Sequence, residues 1–322
     1  MARTLGGLVV SDVGLGCMGM STTYGRPDTA AARETLQRAI DAGVTLFDTA
    51  DMYGNGHNER FVGASIASRR DEIVLATKTG ILTMPGLGLP RGVDARPERI
   101  RLAVDASLRR LGTDRIDLFY LHRVDPEVPV EDSIGALAEA VAAGKVRYLG
   151  LSEAGPDEIR RAHATHPIAA LQTEWSLFAR EIEHGPLAVA RQLGIGIVPY
   201  SPLGRGMLTG SVRATTRLPL LDYRRFLPRW RRANLASNLR QVEVVREVAE
   251  EVGVEAAQVA LAWLLARGDD VVPIPGTTRV RHLESNLGSL DVRLSPEQLA
   301  RLDAVEAAGA RYRSGTGIPG AQ

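Results

Sequence analysis

Eight short apolar runs, separated by helical patterns from one end of the chain to the other, constrain this sequence more than any other feature. The first four are Val13-Gly-Leu-Gly, Val44-Thr-Leu-Phe-Asp, Ile73-Val-Leu-Ala-Thr-Lys and Asp117-Leu-Phe-Tyr-Leu-His. The others are Val146-Arg-Tyr-Leu-Gly-Leu-Ser, Ala169-Ala-Leu-Gln-Thr-Glu, Gly196-Ile-Val-Pro-Tyr-Ser and Val271-Val-Pro-Ile-Pro. Each is too short for a helix and is bounded by Gly, Pro or polar residues, as buried parallel strands are. The segments between them read as helices. Ile100, Val104, Leu108 and Leu111 share one helical face, with Pro97 suited to the first turn and Gly112 to the C-terminal cap. Asp28 suits the N-cap of a helix ending at Gly43, Ser295-Pro-Glu-Gln is a capping box, and two helices divided near Gly253 precede the last run.

Strand–helix units repeated through 322 residues predict an α/β fold of the (β/α)8 TIM-barrel kind, typically about 250 residues plus insertions. Leu5 to Ser11 is expected to form a capping hairpin at the bottom of the barrel. No linker interrupts the pattern, so residues 1–322 read as a single domain. Gly80 to Arg96 and Ser211 to about Leu239 exceed simple connections. Both follow strands, so they are expected at the C-terminal face, shaping a substrate site.

Composition narrows the function. Basic and acidic residues number 39 and 38, too balanced for a nucleic-acid footprint. No apolar stretch approaches the roughly 18 residues of a membrane span, and the N-terminus lacks the long apolar run of a signal peptide. One cysteine, Cys17, precludes an internal disulfide framework, and the six histidines are scattered with no His-x-His pair on a strand, so no metal site is expected. A cytoplasmic protein acting on small molecules is the expectation. Among the basic residues only Lys78 and Lys145 are lysines. An ammonium is a compact charge whose pKa moves readily, whereas arginine stays charged, so a retained lysine is worth locating.

Gly14-Leu-Gly-Cys-Met-Gly19 satisfies G-x-G-x-x-G, but the dinucleotide-binding turn needs a helix starting within the glycines. Here a polar loop follows and helical periodicity begins only after Asp28. The glycines are read instead as letting the first strand approach a ligand closely.

Chemistry in such a barrel sits at the C-terminal strand ends. Those ends carry Asp48 with Tyr53 beyond it, Lys78, His122, Ser152, Gln172 to Glu174, and Tyr200-Ser201. A carbonyl that accepts hydride needs a proton at once. Tyrosine can donate one, an adjacent ammonium would lower its pKa, and a carboxylate would hold that ammonium in place. A histidine would orient the carbonyl oxygen. Taken singly, Asp48 and Lys78 also read as a buried ion pair, Tyr53 as a loop aromatic and His122 as a satisfied strand-end histidine.

Phe47-Asp-Thr-Ala-Asp-Met-Tyr-Gly with Asn58-Glu, Lys78 after Val-Leu-Ala-Thr, Asp114-Arg-Ile-Asp-Leu-Phe-Tyr-Leu-His122 and Gly144-Lys-Val-Arg-Tyr-Leu-Gly-Leu-Ser resemble signatures of the aldo-keto reductase superfamily. Tyr200-Ser-Pro-Leu-Gly-Arg-Gly and Ile274-Pro-Gly-Thr continue the match in order, and the Gly-Leu-Ser-Glu-Ala form looks closest to a branch of bacterial, fungal and plant reductases. The resemblance implies NADPH-dependent reduction of aldehydes and ketones, with Tyr53 as general acid, Lys78 and Asp48 its tuning pair, and His122 orienting a small-molecule carbonyl substrate. Some relatives imply an alternative, an NADP(H)-binding sensor or regulatory subunit with slow turnover.

The same resemblance places the nicotinamide against Tyr200, with Ser152 and Gln172 on its carboxamide and Cys17 and Met18 beside it. Ser201, Leu203, Gly204, Arg205 and Gly206 would wrap the pyrophosphate, Arg205 adding charge. Gly276, Thr278, Arg279 and His282, leading into a helix, would hold the adenosine 2′-phosphate, and Asn286 would meet adenine. Two positions depart from relatives. Glu153 stands where many carry asparagine, and Ser285 stands where glutamate is usual, weakening the expected adenine contact. Neither the substrate nor the oligomeric state is written in these motifs.

Overall fold

The computed structural model describes residues 2–21, 23–84, 90–220 and 222–313. Residues 85–89 of the first long connection and Leu221 of the second lie outside them. The chain opens with β1 (Ala2–Leu5), β2 (Leu8–Ser11), β3 (Leu15–Gly16), α1 (Thr29–Asp41), β4 (Leu46–Asp48) and α2 (His57–Ile66). It continues through β5 (Val74–Thr79), β6 (Ile81–Thr83), β7 (Pro90–Val93), α3 (Pro97–Leu111), β8 (Ile116–Leu121) and α4 (Val130–Ala142). Next come β9 (Val146–Ser152), α5 (Pro156–Thr165), β10 (Ile168–Glu174), α6 (Pro186–Gln192) and β11 (Gly196–Tyr200). It closes with α7 (Arg232–Val252), α8 (Ala256–Leu265), α9 (Val280–Leu287) and α10 (Pro296–Asp303).

The local signals act as read. Asp28 accepts from the backbone N–H groups of Ala30 and Ala31, Gly112 ends α3 at φ 65°, and Ser295 accepts from the Gln298 N–H. β8 and β10 are buried at every position, the mark of strands covered on both faces. Seven parallel strands pair in the order β11-β10-β9-β8-β5-β4-β3.

The eighth run closes this sheet into a barrel without forming a regular strand, and its two prolines are the reason. Val272 and Ile274 donate to the carbonyls of Ile197 and Pro199 on one side, at 2.8 and 3.0 Å. On the other side Pro273 and Pro275 have no N–H to give, so they only accept, from Gly14 and Gly16 at 3.0 and 3.4 Å. Gly14 and Gly16 make this seam possible: a Cβ on either would meet atoms of Ile274 at 2.9 Å. Their main service is barrel closure, although Gly16 also borders the cavity described below. No α-helix starts at them among the described residues; α1 begins at Thr29.

β1 and β2 form the expected hairpin, beginning earlier than Leu5. Leu5, Leu8 and Val10 plug the barrel interior against Leu46, Leu118, Ala170 and Val198. A larger apolar layer lies between strands and helices. The first long connection contains the antiparallel pair β6–β7, which sequence patterning missed. The second gives way to α7 at Arg232, earlier than the expected Leu239, and bridges Asp222 to Tyr24. Among the described residues no helix is long and apolar enough to cross a membrane.

Candidate active site

Strand register brings the polar strand ends to one level. Asp48 closes β4 opposite Ala76, Lys78 is the penultimate residue of β5 opposite Tyr120, and His122 follows β8. Ser152 closes β9 opposite Gln172, and Tyr200 closes β11 opposite Glu174. Lys78, 1% exposed, binds Asp48 Oδ1 through Nζ and donates to the Thr49 carbonyl at 2.8 Å. Gln172 Nε2 holds the other carboxylate oxygen of Asp48 at 2.8 Å. Lys78 Nζ lies 5.2 Å from the Tyr53 ring centroid, and the Tyr53 ring meets His122 edge-on at 6.2 Å. The four groups therefore converge. The signature residues Asn58 and Glu59 hold the Tyr53 turn. Asn58 bonds Thr49, the Cys17 carbonyl and Ser21, while Glu59 bonds Thr77 and Arg110. Lys145 lies apart, paired with Asp105 at 2.7 Å.

The electrostatics correct one expectation. Lys78 does not lower the Tyr53 pKa below its ordinary value. Burial, reinforced by the Asp48 charge, holds the phenol well above it, with Arg123 pulling the other way. The physical reason is that burial dominates and that the ammonium is bound directly to a carboxylate, which offsets part of its field at the phenol. Burial also pushes Asp48 up and Lys78 down, each restrained by the other. Burial, then Arg123 and Lys78, hold His122 well below its usual value, so its imidazole is neutral. Its Nδ1 is buried with no partner among the described residues. Tyr53 thus keeps its proton, and His122 can donate only one.

Asp51, two residues before Tyr53, accepts from Thr79 Oγ1 at 2.6 Å through Oδ2, while its Oδ1 is buried without a partner. Burial pushes this carboxyl up to about 7, against the Thr79 hydrogen bond. From the ordinary carboxylate value near 4 up to about 7, the folded chain carries a proton that the unfolded chain lacks. Asp51 therefore stabilises the fold fully at low pH and loses that contribution as pH rises through about 7. Asp51→Asn, a mimic of the protonated form, is expected to leave Tm nearly unchanged at or below about pH 4, the ordinary carboxylate value, and to raise it progressively above that. Near pH 8 it should raise Tm by several °C, since a carboxyl held at about 7 against about 4 in the unfolded chain is worth on the order of 4 kcal/mol there. Equal Tm differences at the two pH values in thermal melts would contradict this.

A cavity of about 790 Å³ runs from Asp48 and Tyr53 past Tyr200 to the start of α9. Of the residues assigned to cofactor from sequence, Met18, Tyr200, Ser201, Leu203, Arg205, Gly206, Gly276, Thr278, Arg279, His282 and Asn286 line it. Cys17, Ser152, Gln172 and Gly204 do not line it. Cys17 is fully buried with its Sγ on the Leu15 carbonyl, burial pushing the thiol far up, so it offers the cavity no side chain. Arg205, in its left-handed turn (φ 57°), lines the cavity while its guanidinium also donates to Glu174 at 3.0 Å and to Tyr312 Oη at 2.8 Å.

Several contacts around the site were not legible from sequence. Glu153, at φ 54°, accepts from the Glu174 N–H at 2.8 Å and pairs with Arg311 at 3.0 Å, both side chains buried. Burial raises its carboxyl, but Arg311 and Arg123 outweigh burial and hold it below the usual range. Tyr312 meets Tyr200 hydroxyl to hydroxyl at 3.0 Å. Glu255 lines the cavity near α9 and accepts from Ser285 Oγ at 2.6 Å, which puts a carboxylate beside Ser285. One backbone signal unites the site. The positive-φ non-glycine residues among those described are Asn55, Glu153, Ser201 and Arg205, each within two residues of Tyr53, Ser152, Tyr200 or the 204–206 turn. Such conformations persist where surrounding structure enforces them, often at functional sites.

A model described as the Aldo/keto reductase family matches residues 12–307. The chain is similar to the aldo-keto reductase yakc, named for NADP(+), from Schizosaccharomyces pombe, 43% identical over 324 aligned positions that cover 98% of this chain and 95% of that one. It is similar to probable aldo-keto reductase 1 of Glycine max, 44% identical over 316 positions, covering 96% and 90%. Among solved structures it resembles the glycerol dehydrogenase AKR11B4 from Gluconobacter oxydans at TM-score 0.85 and 30% identity, covering 94% of both chains. It also resembles the holo form of aldo-keto reductase AKR11C1 from Bacillus halodurans at TM-score 0.75 and 28% identity, covering 97% and 98%.

Proposed function

The chain belongs to the aldo/keto reductase family, and on that premise we propose that it reduces aldehydes and ketones with NADPH, Tyr53 giving the proton. The observation that carries this reading is the convergence of Tyr53, Lys78, Asp48 and His122, of which Asp48 and Tyr53 line the cavity. Its volume, about 790 Å³, falls within the range of cofactor sites.

The residues present fit a phosphorylated dinucleotide. Asn286 is buried yet borders the cavity, and Thr278, Arg279, Arg281 and His282 gather hydroxyl, guanidinium and imidazole groups at one end. Tyr200 offers an aromatic wall near the other end. When bound, reduced nicotinamide supplies the hydride. His122, neutral, donates a hydrogen bond to the carbonyl oxygen and fixes its direction. The Tyr53 O–H bond breaks as its proton passes to that oxygen, giving the alcohol and leaving a tyrosinate that solvent reprotonates. The Lys78 ammonium, held by Asp48 and the Thr49 carbonyl, faces the phenolate as it forms.

The reading is tested by NADPH oxidation over a panel of aldehydes and ketones, with alcohol identified as product. Tight NADPH binding without consumption across the panel would favour the sensor reading instead. For the cofactor end, Glu255→Ala is expected to weaken NADPH binding about three- to tenfold by removing one hydrogen-bonding carboxylate, roughly 0.5–1.5 kcal/mol. Arg279→Ala should cost NADPH more than NADH. Fluorescence titrations check both, and unchanged NADPH affinity in both variants would contradict the assignment.

A further inference from the structure

Arg123 follows His122 and is only 6% exposed. Its Nη1 donates to the His122 carbonyl at 2.6 Å and to Ser152 Oγ at 3.0 Å, joining the ends of β8 and β9. Its Nε is buried with no partner, and among the described residues Arg123 makes no ion pair. The carboxylate that acts on it, Glu153, is ion-paired to Arg311. Lys78, by contrast, is bound to Asp48. Lys78 is thus neutralised by contact with a carboxylate, and Arg123 is not.

We propose that Arg123 is a positioning residue of the carbonyl site, which locks His122 to Ser152 and supplies the uncompensated positive charge that the Lys78–Asp48 pair does not. The proposal rests on Tyr53 being the proton donor. The charged and titratable groups acting on Tyr53 are Asp48, Arg123, Tyr24 and Tyr312, and Arg123 alone among these favours the phenolate. His122 feels Arg123 and Lys78, both keeping it neutral. Arg123 thus acts twice, easing proton loss from Tyr53 and holding the imidazole in its uncharged, hydrogen-bonding form. Through Ser152 Oγ it ties the end of β8, where His122 sits, to the end of β9.

The test compares Arg123→Gln and Arg123→Met, which remove the charge, with Arg123→Lys, which keeps it. Either neutral variant that folds carries the comparison. The neutral variants are expected to lower kcat for reduction about tenfold or more, the equivalent of one pKa unit of lost charge stabilisation, with little change in KM. Arg123→Lys should recover most of that loss. Independently of turnover, NMR titration of the apo protein should show the His122 imidazole protonating at higher pH in a neutral variant than in the wild type. Equal losses in the neutral and lysine variants, or an unmoved His122 midpoint, would overturn the proposal. Tyr53→Phe is measured in parallel. If it remains active, the reading of Tyr53 fails; if it is inactive while Arg123→Gln is wild-type, the proposal for Arg123 fails alone.

Discussion

Tyr53→Phe is expected to bind NADPH as the wild type does and to lose carbonyl reduction by about 10²–10⁴-fold in kcat, the usual contribution of a positioned general acid. The substitution removes one oxygen and leaves the ring. The edge-on contact with His122 and the packing over Lys78 are therefore retained. The backbone turn is also independent of the hydroxyl, since the Tyr53 N–H bonds the Ala50 carbonyl and the Tyr53 carbonyl accepts from Asn58. Among the described residues no second phenol is in ring contact with His122. Steady-state rates with a cofactor titration on the same protein check this. A variant retaining more than about a tenth of the rate would mean that the proton comes from another group.

Lys78→Met is expected to fail in two separable ways. Asp48, 3% exposed, would be left as a buried carboxylate with only Gln172 to hold it. Removing one member of a buried pair costs about 3–5 kcal/mol. The loss should shrink in acid, because burial raises the Asp48 pKa and a protonated Asp48 needs no ammonium. With the folded value above the unfolded one, the variant's stability rises as pH falls toward the ordinary carboxylate range and declines as pH rises. Activity should fall about 10²-fold or more, since the phenolate forms without a facing cation. The double variant Lys78→Met with Asp48→Leu, which removes both charges, should regain most of the stability and none of the activity. Denaturant melts at two pH values and initial rates check both halves. A double variant with near-wild-type turnover would show the pair to be structural only.

Much of this was legible in the amino-acid order because local chemistry determines it. Eight apolar runs mark the barrel staves, and Asp28, Pro97, Gly112 and Ser295 mark helix ends through hydrogen bonds within a few residues. Asp48, Lys78 and His122 could be placed because a parallel barrel puts strand ends at one level. What stayed hidden depends on tertiary distance or on burial. The Pro273-x-Pro275 pattern still closes the barrel, but through acceptors alone on one side. The sign of the Tyr53 shift follows from burial and from the contact between Lys78 and Asp48, neither of which a strand pattern reveals. Glu153 reads as a departure from relatives until Arg311, far along the chain, is seen beside it. Glu255 and Ser285, 30 residues apart, are likewise joined only by the fold. The pairing of Arg205 with Glu174, 31 residues away, is also made only by the fold.

The most direct measurement is a crystal structure of the protein with NADP(H) and an unreactive carbonyl-bearing ligand. Tyr53 Oη and an imidazole nitrogen of His122 should both lie within hydrogen-bonding distance of the ligand's carbonyl oxygen, with the nicotinamide ring on Tyr200. A nicotinamide seated away from Tyr200, or a carbonyl oxygen out of reach of the Tyr53 hydroxyl, would contradict the assignment of these side chains to carbonyl reduction.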